Sequence, residues 1–472
     1  KDITRGKRMI TRPRLKASFS AHAVGDNLVF RLNEHKYFAL EGNVYPLLLP
    51  LLDGNHSIEQ IIAALGTQVP FPKLYYALHL LEQRGYIVEA NGESPAPLTA
   101  FWDYLGVDPH EATARLQQAR VRILALPPCD PAPLAQALQA LGISATGDDA
   151  ATEPPDLTLV LTDDYLRPEL QALNQQALDA ALPWLPIKPV GTLLWLGPVF
   201  RPGATACWEC LAQRLRANRQ VEAFIQKRTG SFDPLPTSRA ALPSTQAVAF
   251  QLAATEVARF LVLGLAPALD NRLLTWDHLS LERQEHVLVQ RPQCPACGDP
   301  AYKQSRPPQP VRLQSQLKRS TEEGGGHRTA SPEETFERYK HHISPITGIV
   351  SSFISKEETS YGLTHNYATG HSFPMLSNNM LQLRANMRYR SGGKGTTEIQ
   401  AKTSALCEAI ERYSGVYWGD EYCVRGTYNS LQPEALHIRE CMLFSDAQYA
   451  NRAAWNAACT SLGGAIGGDG YC

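Results

Sequence analysis

The sequence predicts an α/β protein of several domains, opening with a winged helix-turn-helix and closing with an α+β domain. Three observations predict it. At 472 residues the chain is too long for one hydrophobic core, and about three domains are expected. Short alternating strands flank three short helices before residue 90, whereas beyond residue 120 continuous apolar runs alternate with longer helical patterns. Two widely separated Cys-x-x-Cys pairs supply the third observation, a candidate tie within the second part.

Residues 1–92 read as the first unit. Lys16–His22 and Asn27–Leu32 alternate as strands joined by a turn at Gly25 and Asp26. Helical patterns follow at Val44–Leu52, Ile58–Leu65 and Lys73–Arg84, the middle one opening with a capping box of Ser57 and Gln60. Gly85 ends the third helix, and Tyr86-Ile87-Val88 returns as a strand. The third helix carries only Lys73 and Arg84 as basic residues, too little charge to read a DNA groove. An exposed sheet edge offers another use, the addition of an extended peptide as an extra strand, and a purely structural role stays open beside it.

Asn91–Pro97 is a linker by composition, and 100–302 is the α/β unit. Val121–Leu126 and Leu157–Leu161 read as buried strands. Ser244–Gly264 reads as a long helix, with a strand in the LLTWDHLSL run that follows. Asp163 and Asp164 are read as a strand-end turn rather than a metal pair, and Lys188–Gly191 carries no assigned catalytic role. Cys207, Cys210, Cys294 and Cys297 form two knuckles that could close a four-sulfur shell around a structural zinc, with a redox dithiol as the alternative. Gln226–Pro243 and Tyr302–Pro332 are polar and read as mobile loops, the second of them including a linker at 303–332.

Apolar residues make up 44% and charged residues 19%, and Lys plus Arg (45) balance Asp plus Glu (46), giving a formal charge of -1. That balance gives no electrostatic reason to expect nucleic acid or an anionic membrane as partner. Tyr45–Leu52 and Phe260–Leu269 fall far short of a spanning helix, and no N-terminal signal pattern occurs, so a cytoplasmic protein is expected.

The richest stretch is Gly393–Gly415. At about 100° per residue, Ser404, Glu408 and Glu411 fall within roughly 60° of one another, with Thr397 and Gln400 on the same stripe. Leu406, Ala409, Ile410 and Tyr413 face the other way. Two acids at i, i+3 repel unless a cation sits between them, and a divalent ion carrying phosphates suits them. The competing reading is a solvated face on which Glu408 pairs with Arg412. Ahead of the helix a Gly-Lys-Gly turn is expected, with Lys394 as a phosphate contact or a plain surface residue.

His342–Ser352, His365–Phe373 and this helix together resemble the YcaO family. The resemblance implies an ATP and Mg2+ site built from Ser404, Glu408 and Glu411 in an α+β domain at 333–456. No Walker sequence occurs, and a nucleotide held by carboxylates through metal ions needs none. Residues 15–90 resemble the leader-peptide recognition module of enzymes that install azoline rings in ribosomal peptides. Residues 100–302 resemble ubiquitin-activating-type enzymes, in which a four-cysteine zinc sits beside the nucleotide domain. Here Pro127–Pro131 stands where those enzymes carry a glycine-rich phosphate loop, so a scaffold without its own ATP chemistry is expected.

In this order the segments resemble a fused azoline-forming cyclodehydratase of the cyanobactin type. That implies ATP, Mg2+ and structural Zn2+, and a ribosomal precursor peptide bound through leader and core. It leaves a homodimer and the identity of the cyclised residues (Cys, or Ser and Thr) open. Family members continue through a second carboxylate-bearing helix, whereas 457–472 is an unassigned Gly-rich tail. The expectation is therefore an incomplete or frame-shifted enzyme, inactive alone, or a non-catalytic leader-binding partner of a separate enzyme.

Overall fold

The computed structural model describes residues 10–92, 95–147, 153–231, 234–235, 240–303, 310–317, 319–320, 327–356, 363–371, 379–387, 390–417, 421–442 and 444–459. The glycine-rich tail from 460 onward and parts of the two polar loops lie outside them.

The N-terminal unit follows the expected order with shifted boundaries. Its strands are Ser20–Val24 and Asn27–Arg31, the first starting later than Lys16, and Tyr37–Glu41 adds a third antiparallel strand. Pro13–Leu15 pairs with Ile87–Glu89 in a second small sheet. The expected helix Val44–Leu52 is a helix only to Leu48, and Leu49–Leu51 tightens to a 3-10 turn around Pro50. Ile58–Leu65 has the predicted capping box, the Ser57 side chain accepting from Gln60 N–H while the Gln60 side chain accepts from Ser57 N–H. The third helix, Phe71–Gln83, starts two residues early because Pro72 can occupy a first-turn position. Leu28, Phe30, Leu48, Ile61, Leu74 and Leu81 close this core.

The middle domain is one seven-stranded sheet. Ala145–Thr146, Val121–Ala125, Leu157–Leu161 and Trp184–Lys188 run parallel, and Leu193–Leu196, Arg272–Asp277 and Arg283–Val287 extend it antiparallel. Every residue of Leu157–Leu161 and Trp184–Lys188 is buried, as expected for strands covered on both faces. The helix Pro243–Leu263 is long and apolar enough to cross a membrane by length and composition. Phe250, Ala253, Val257, Phe260 and Val262 on it are buried in a core shared with the helices Pro109–Gln118 and Ala132–Gln139. On the other face, Tyr165, Trp184, Trp208, Leu211 and Leu215 build a second core that includes Cys207, Cys210 and Cys294. The loop expected from Gln226 is still helical there, since Gln220–Thr229 ends only at Gly230.

The third region pairs Val350–Ser355, His365–His371 and Arg390–Gly395 as an antiparallel sheet. The helices Pro332–Tyr339 and Glu398–Ser414 pack against it, around Val350, Leu406 and Ala409.

Candidate functional site

The expected Gly-Lys-Gly turn is a strand. Residues 393–395 belong to Arg390–Gly395, paired with His365–His371 so that Lys394 stands opposite Asn366. The glycines serve packing rather than turning. A Cβ on Gly393 would lie 2.2 Å from the Ala401 carbonyl oxygen, and one on Gly395 would lie 2.6 Å from Gln400 Cβ. Without side chains there, the helix Glu398–Ser414 settles directly on the strand, presenting Ala401, Ala405 and Ala409 to the interior. The helix starts where Thr397 accepts the Gln400 N–H.

That contact leaves the polar stripe outward. Ser404 and Glu411 are exposed, and Glu408 is half-buried. With Lys394, Gln400, Arg328 and Cys407 they line one cavity of about 550 Å³. The structure thus brings together all four residues singled out from sequence for this site. It adds Arg328, which arrives from a polar segment that carried no sequence signal.

Glu408 is also held as the competing reading anticipates. Its Oε1 accepts from Arg412 Nε at 3.0 Å and Nη2 at 2.7 Å, and its Oε2 accepts the Gly392 N–H at 3.0 Å. The Arg412 guanidinium, with the Gly392 amide adding to it, keeps this carboxyl below the usual range and therefore ionised. The bond to Gly392 also ties the helix to the strand that carries Lys394, so the two walls of the cavity are joined directly. Chemically, two carboxylates beside Arg328 and Lys394 can accept a divalent cation and an anion together.

The second candidate centre lies in the middle domain. Cys207 is the N-cap of Trp208–Asn218, and Cys210 sits in its first turn. Cys294 and Cys297 follow the strand Arg283–Val287 in a tight turn closed by Gly298 N–H donating to Cys294 O at 2.9 Å. The four sulfurs lie within 4.8 Å of one another, and this is the group of metal-capable side chains found among the described residues. Across the knuckles, Cys207 and Cys294 are 3.7 Å apart and Cys210 and Cys297 are 3.6 Å apart. A tetrahedron with metal–sulfur bonds of about 2.3 Å has edges of about 3.8 Å, so the donor set fits a closed tetrahedral ion. Hydrogen bonding from Cys207 pulls the Cys297 thiol down to about 7 and Cys294 lower still, a proton-sharing that a cation would replace.

Asp163, Asp164 and Lys188 of the middle domain are engaged internally. Asp163 accepts from Arg167 Nε at 2.7 Å, and Asp164 accepts from Arg219 Nη1 at 2.7 Å and from the Leu166 N–H at 2.7 Å. Lys188 donates to the carbonyls of Val190 and Leu193, and burial lowers its pKa.

In the N-terminal unit, Leu32 N–H donates to Lys36 O and Gly42 N–H to Asp26 O. In an antiparallel ladder this parity turns the backbone groups of residues 36, 38, 40 and 42 inward. Those of Tyr37, Ala39 and Glu41 therefore point to the open edge of the sheet, where all three side chains are exposed.

A family model described as YcaO cyclodehydratase, ATP- and Mg2+-binding, matches residues 392–461, and one described as a winged helix-turn-helix domain matches residues 14–89. A solved heterocyclase in complex with substrate and cofactor is 39% identical, covering 95% of this chain and 60% of its own, with a TM-score of 0.85. The heterocyclase TruD is 35% identical, covering 95% of this chain and 58% of its own, with a TM-score of 0.73. The chain thus spans about three fifths of the length of these heterocyclases. No curated protein matches it.

Proposed function

We propose that this chain, sharing over 95% of its length the architecture of solved heterocyclases, takes part in ATP-dependent azoline formation on a ribosomal precursor peptide. The observation that carries the reading is the single cavity in which Lys394, Ser404, Glu408 and Glu411 meet. Its volume of about 550 Å³ is in the range of small-molecule sites.

In azoline formation a core Cys, or Ser or Thr, adds its side chain to the preceding carbonyl carbon, and the former amide oxygen must then leave. ATP would supply the phosphoryl group that makes that oxygen a good leaving group. Glu408 and Glu411 are the residues to hold Mg2+, Ser404 to hydrogen-bond the nucleotide, and Lys394 with Arg328 to offset phosphate charge. We assign zinc, with a structural role, to Cys207, Cys210, Cys294 and Cys297, because all four tetrahedral positions would be protein ligands. The open edge at Tyr37–Glu41 is the proposed seat of an extended leader peptide.

A second reading is favoured by one observation. Both oxygens of Glu408 already have partners in Arg412 and Gly392, as on a solvated helix face. Under it the chain binds a leader peptide and leaves catalysis to a partner protein.

Calorimetric titration of MgATP into the 472-residue chain separates the two. Binding that Glu411→Gln weakens supports the enzyme reading; leader-peptide binding without nucleotide binding supports the second. Mass spectrometry of a precursor peptide incubated with the chain and ATP then reads the reaction, as loss of one water per ring.

A further inference from the structure

The two cysteine knuckles begin two arms that end on the same loop. Cys210, Arg214 and Asn218 recur every four residues along one side of the helix Trp208–Asn218. Arg214 is only 7% exposed, yet it leaves its own domain. Its Nε donates to the Thr347 carbonyl at 3.1 Å and its Nη2 to the Gly348 carbonyl, and its guanidinium lies 4.9 Å from the centroid of the Tyr413 ring. Asn218 Nδ2 donates to the carbonyls of Ile346 at 2.7 Å and Gly348 at 3.1 Å.

The second arm is the strand Arg283–Val287, which leads to Cys294. His286 on it is 2.8 Å from Ser344 Oγ through Nδ1 and 2.9 Å from Thr275 Oγ1 through Nε2. Ser344 Oγ in turn accepts the N–H groups of Ile346 and Thr347, both at 3.1 Å. The loop Ser344–Gly348 is therefore gripped from both sides, by residues whose chains converge again at the sulfur cluster.

The loop leads straight into Val350–Ser355, and Val350 packs on Leu406 and Ala409 of the carboxylate helix. Tyr413, beneath Arg214, belongs to that same helix. A buried arginine that exchanges water for two carbonyls and an aromatic face holds its partners in one geometry, because each bond lost leaves a desolvated donor.

We propose that the four-cysteine centre acts as a positioning clamp on the helix Glu398–Ser414, with Arg214 and His286 transmitting its grip. Metal bound between the knuckles fixes the angle between helix and strand, and that angle sets how firmly the loop and Tyr413 hold the helix bearing Ser404, Glu408 and Glu411. The proposal rests on the metal reading of the cysteines and not on the nucleotide reading of the glutamates.

Hydrogen–deuterium exchange on the full chain tests it without any nucleotide. Metal content is measured first, which separates failure of the metal reading from failure of the clamp. Removing the metal with a chelator should speed exchange in 398–414 and 344–350 by about tenfold, together with a loss of protection in the middle domain, while the helix Ile58–Leu65 keeps its protection. Arg214→Met should show the faster exchange in 398–414 with metal still bound, and Arg214→Lys should restore only part of it, since an ammonium cannot fork to two carbonyls. Should Arg214→Met not fold, Asn218→Ala gives the same reading with a smaller rise. Unchanged protection of 398–414 on metal removal, or in a metal-loaded Arg214 or Asn218 variant, would overturn the proposal.

Discussion

Arg14 and Asp103 form a bidentate pair, with Nη1 donating to Oδ2 at 2.7 Å and Nη2 to Oδ1 at 3.0 Å. Asp103 is 2% exposed and also accepts the Ala17 N–H at 2.8 Å. The pair joins the strand Pro13–Leu15 of the winged-helix unit to the helix Ala96–Tyr104 of the next domain. A buried pair is most costly when halved. Asp103→Ala, which strands the Arg14 charge, should lower unfolding free energy by about 3–5 kcal/mol, and Arg14→Met with Asp103→Leu by clearly less. Urea denaturation followed by tryptophan fluorescence measures both.

The open edge at Tyr37–Glu41 gives a backbone test of peptide recognition. Ala39 directs its N–H outward, so proline there removes one donor from the edge and none from the ladder with Asn27–Arg31. Ala39→Pro should reduce affinity for a leader peptide at least about tenfold while the thermal transition barely moves, because each edge bond contributes about 1 kcal/mol and the ring of proline also blocks approach. Fluorescence anisotropy of a labelled leader peptide reads the loss.

Much of this was legible where chemistry leaves few options. Ser57 with Gln60 announces a helix start through its own reciprocal bonds, and four thiols in two knuckles announce a common cluster. The stripe of Ser404, Glu408 and Glu411 was legible because helical periodicity alone fixes its face. Glycine is where the reading failed. Gly393 and Gly395 look like turn residues until the backbone of Ala401 and Ala405 is seen against them, and nothing local distinguishes the two uses. Tyr37–Glu41 was missed because YFALE suits a strand or a helix equally, and pairing with Asn27–Arg31 decides it. Arg328 and the grip of Arg214 on Thr347 and Gly348 join residues far apart in sequence, which no spacing encodes.

Acid should weaken the junction between the middle and third regions. Burial lowers His286 to about 4, and burial first, then His341 and Arg214, lowers His342 to about 4. Both rings are neutral in the fold and take up protons on unfolding. Their contribution is therefore full above the ordinary value near 6.5 and is lost as pH falls from there toward 4. At pH 5 the loss from His286 alone should be about 2 kcal/mol. Stability measured from pH 7.5 to 4.5 should fall less steeply in His286→Gln, which has nothing to titrate.

Zinc analysis tests the sulfur cluster. The purified chain should hold about one zinc, and Cys294→Ser should lose it together with cooperative melting of the middle domain, since structural metal binding is folding free energy. A metal-free wild-type chain that melts like the metal-treated one would remove the assignment.

Glu408 carries a test of its own. Glu408 is fixed by Arg412 and by Gly392 N–H, so Gln in its place can still accept from Gly392 and leaves the wall of the cavity standing. What it removes is the negative charge. If Mg2+ on a nucleotide sits against Glu408 and Glu411, Glu408→Gln should weaken MgATP binding by about 1.5–3 kcal/mol, a ten- to hundredfold rise in Kd, with the melting temperature nearly unchanged. Because Arg412 holds the Glu408 pKa below 4.5, its charge is present above that value and persists as pH falls through it. MgATP affinity attributable to Glu408 should accordingly be flat from pH 7 to pH 5. Arg412→Ala takes away the stabilising guanidinium and moves the titration of Glu408 upward toward the ordinary carboxylate value, so the acid loss of binding should begin at a higher pH than in wild type. Calorimetric titrations of wild type, Glu408→Gln and Arg412→Ala across pH measure this. Equal MgATP affinity in wild type and Glu408→Gln would assign Glu408 to the surface ion pair alone.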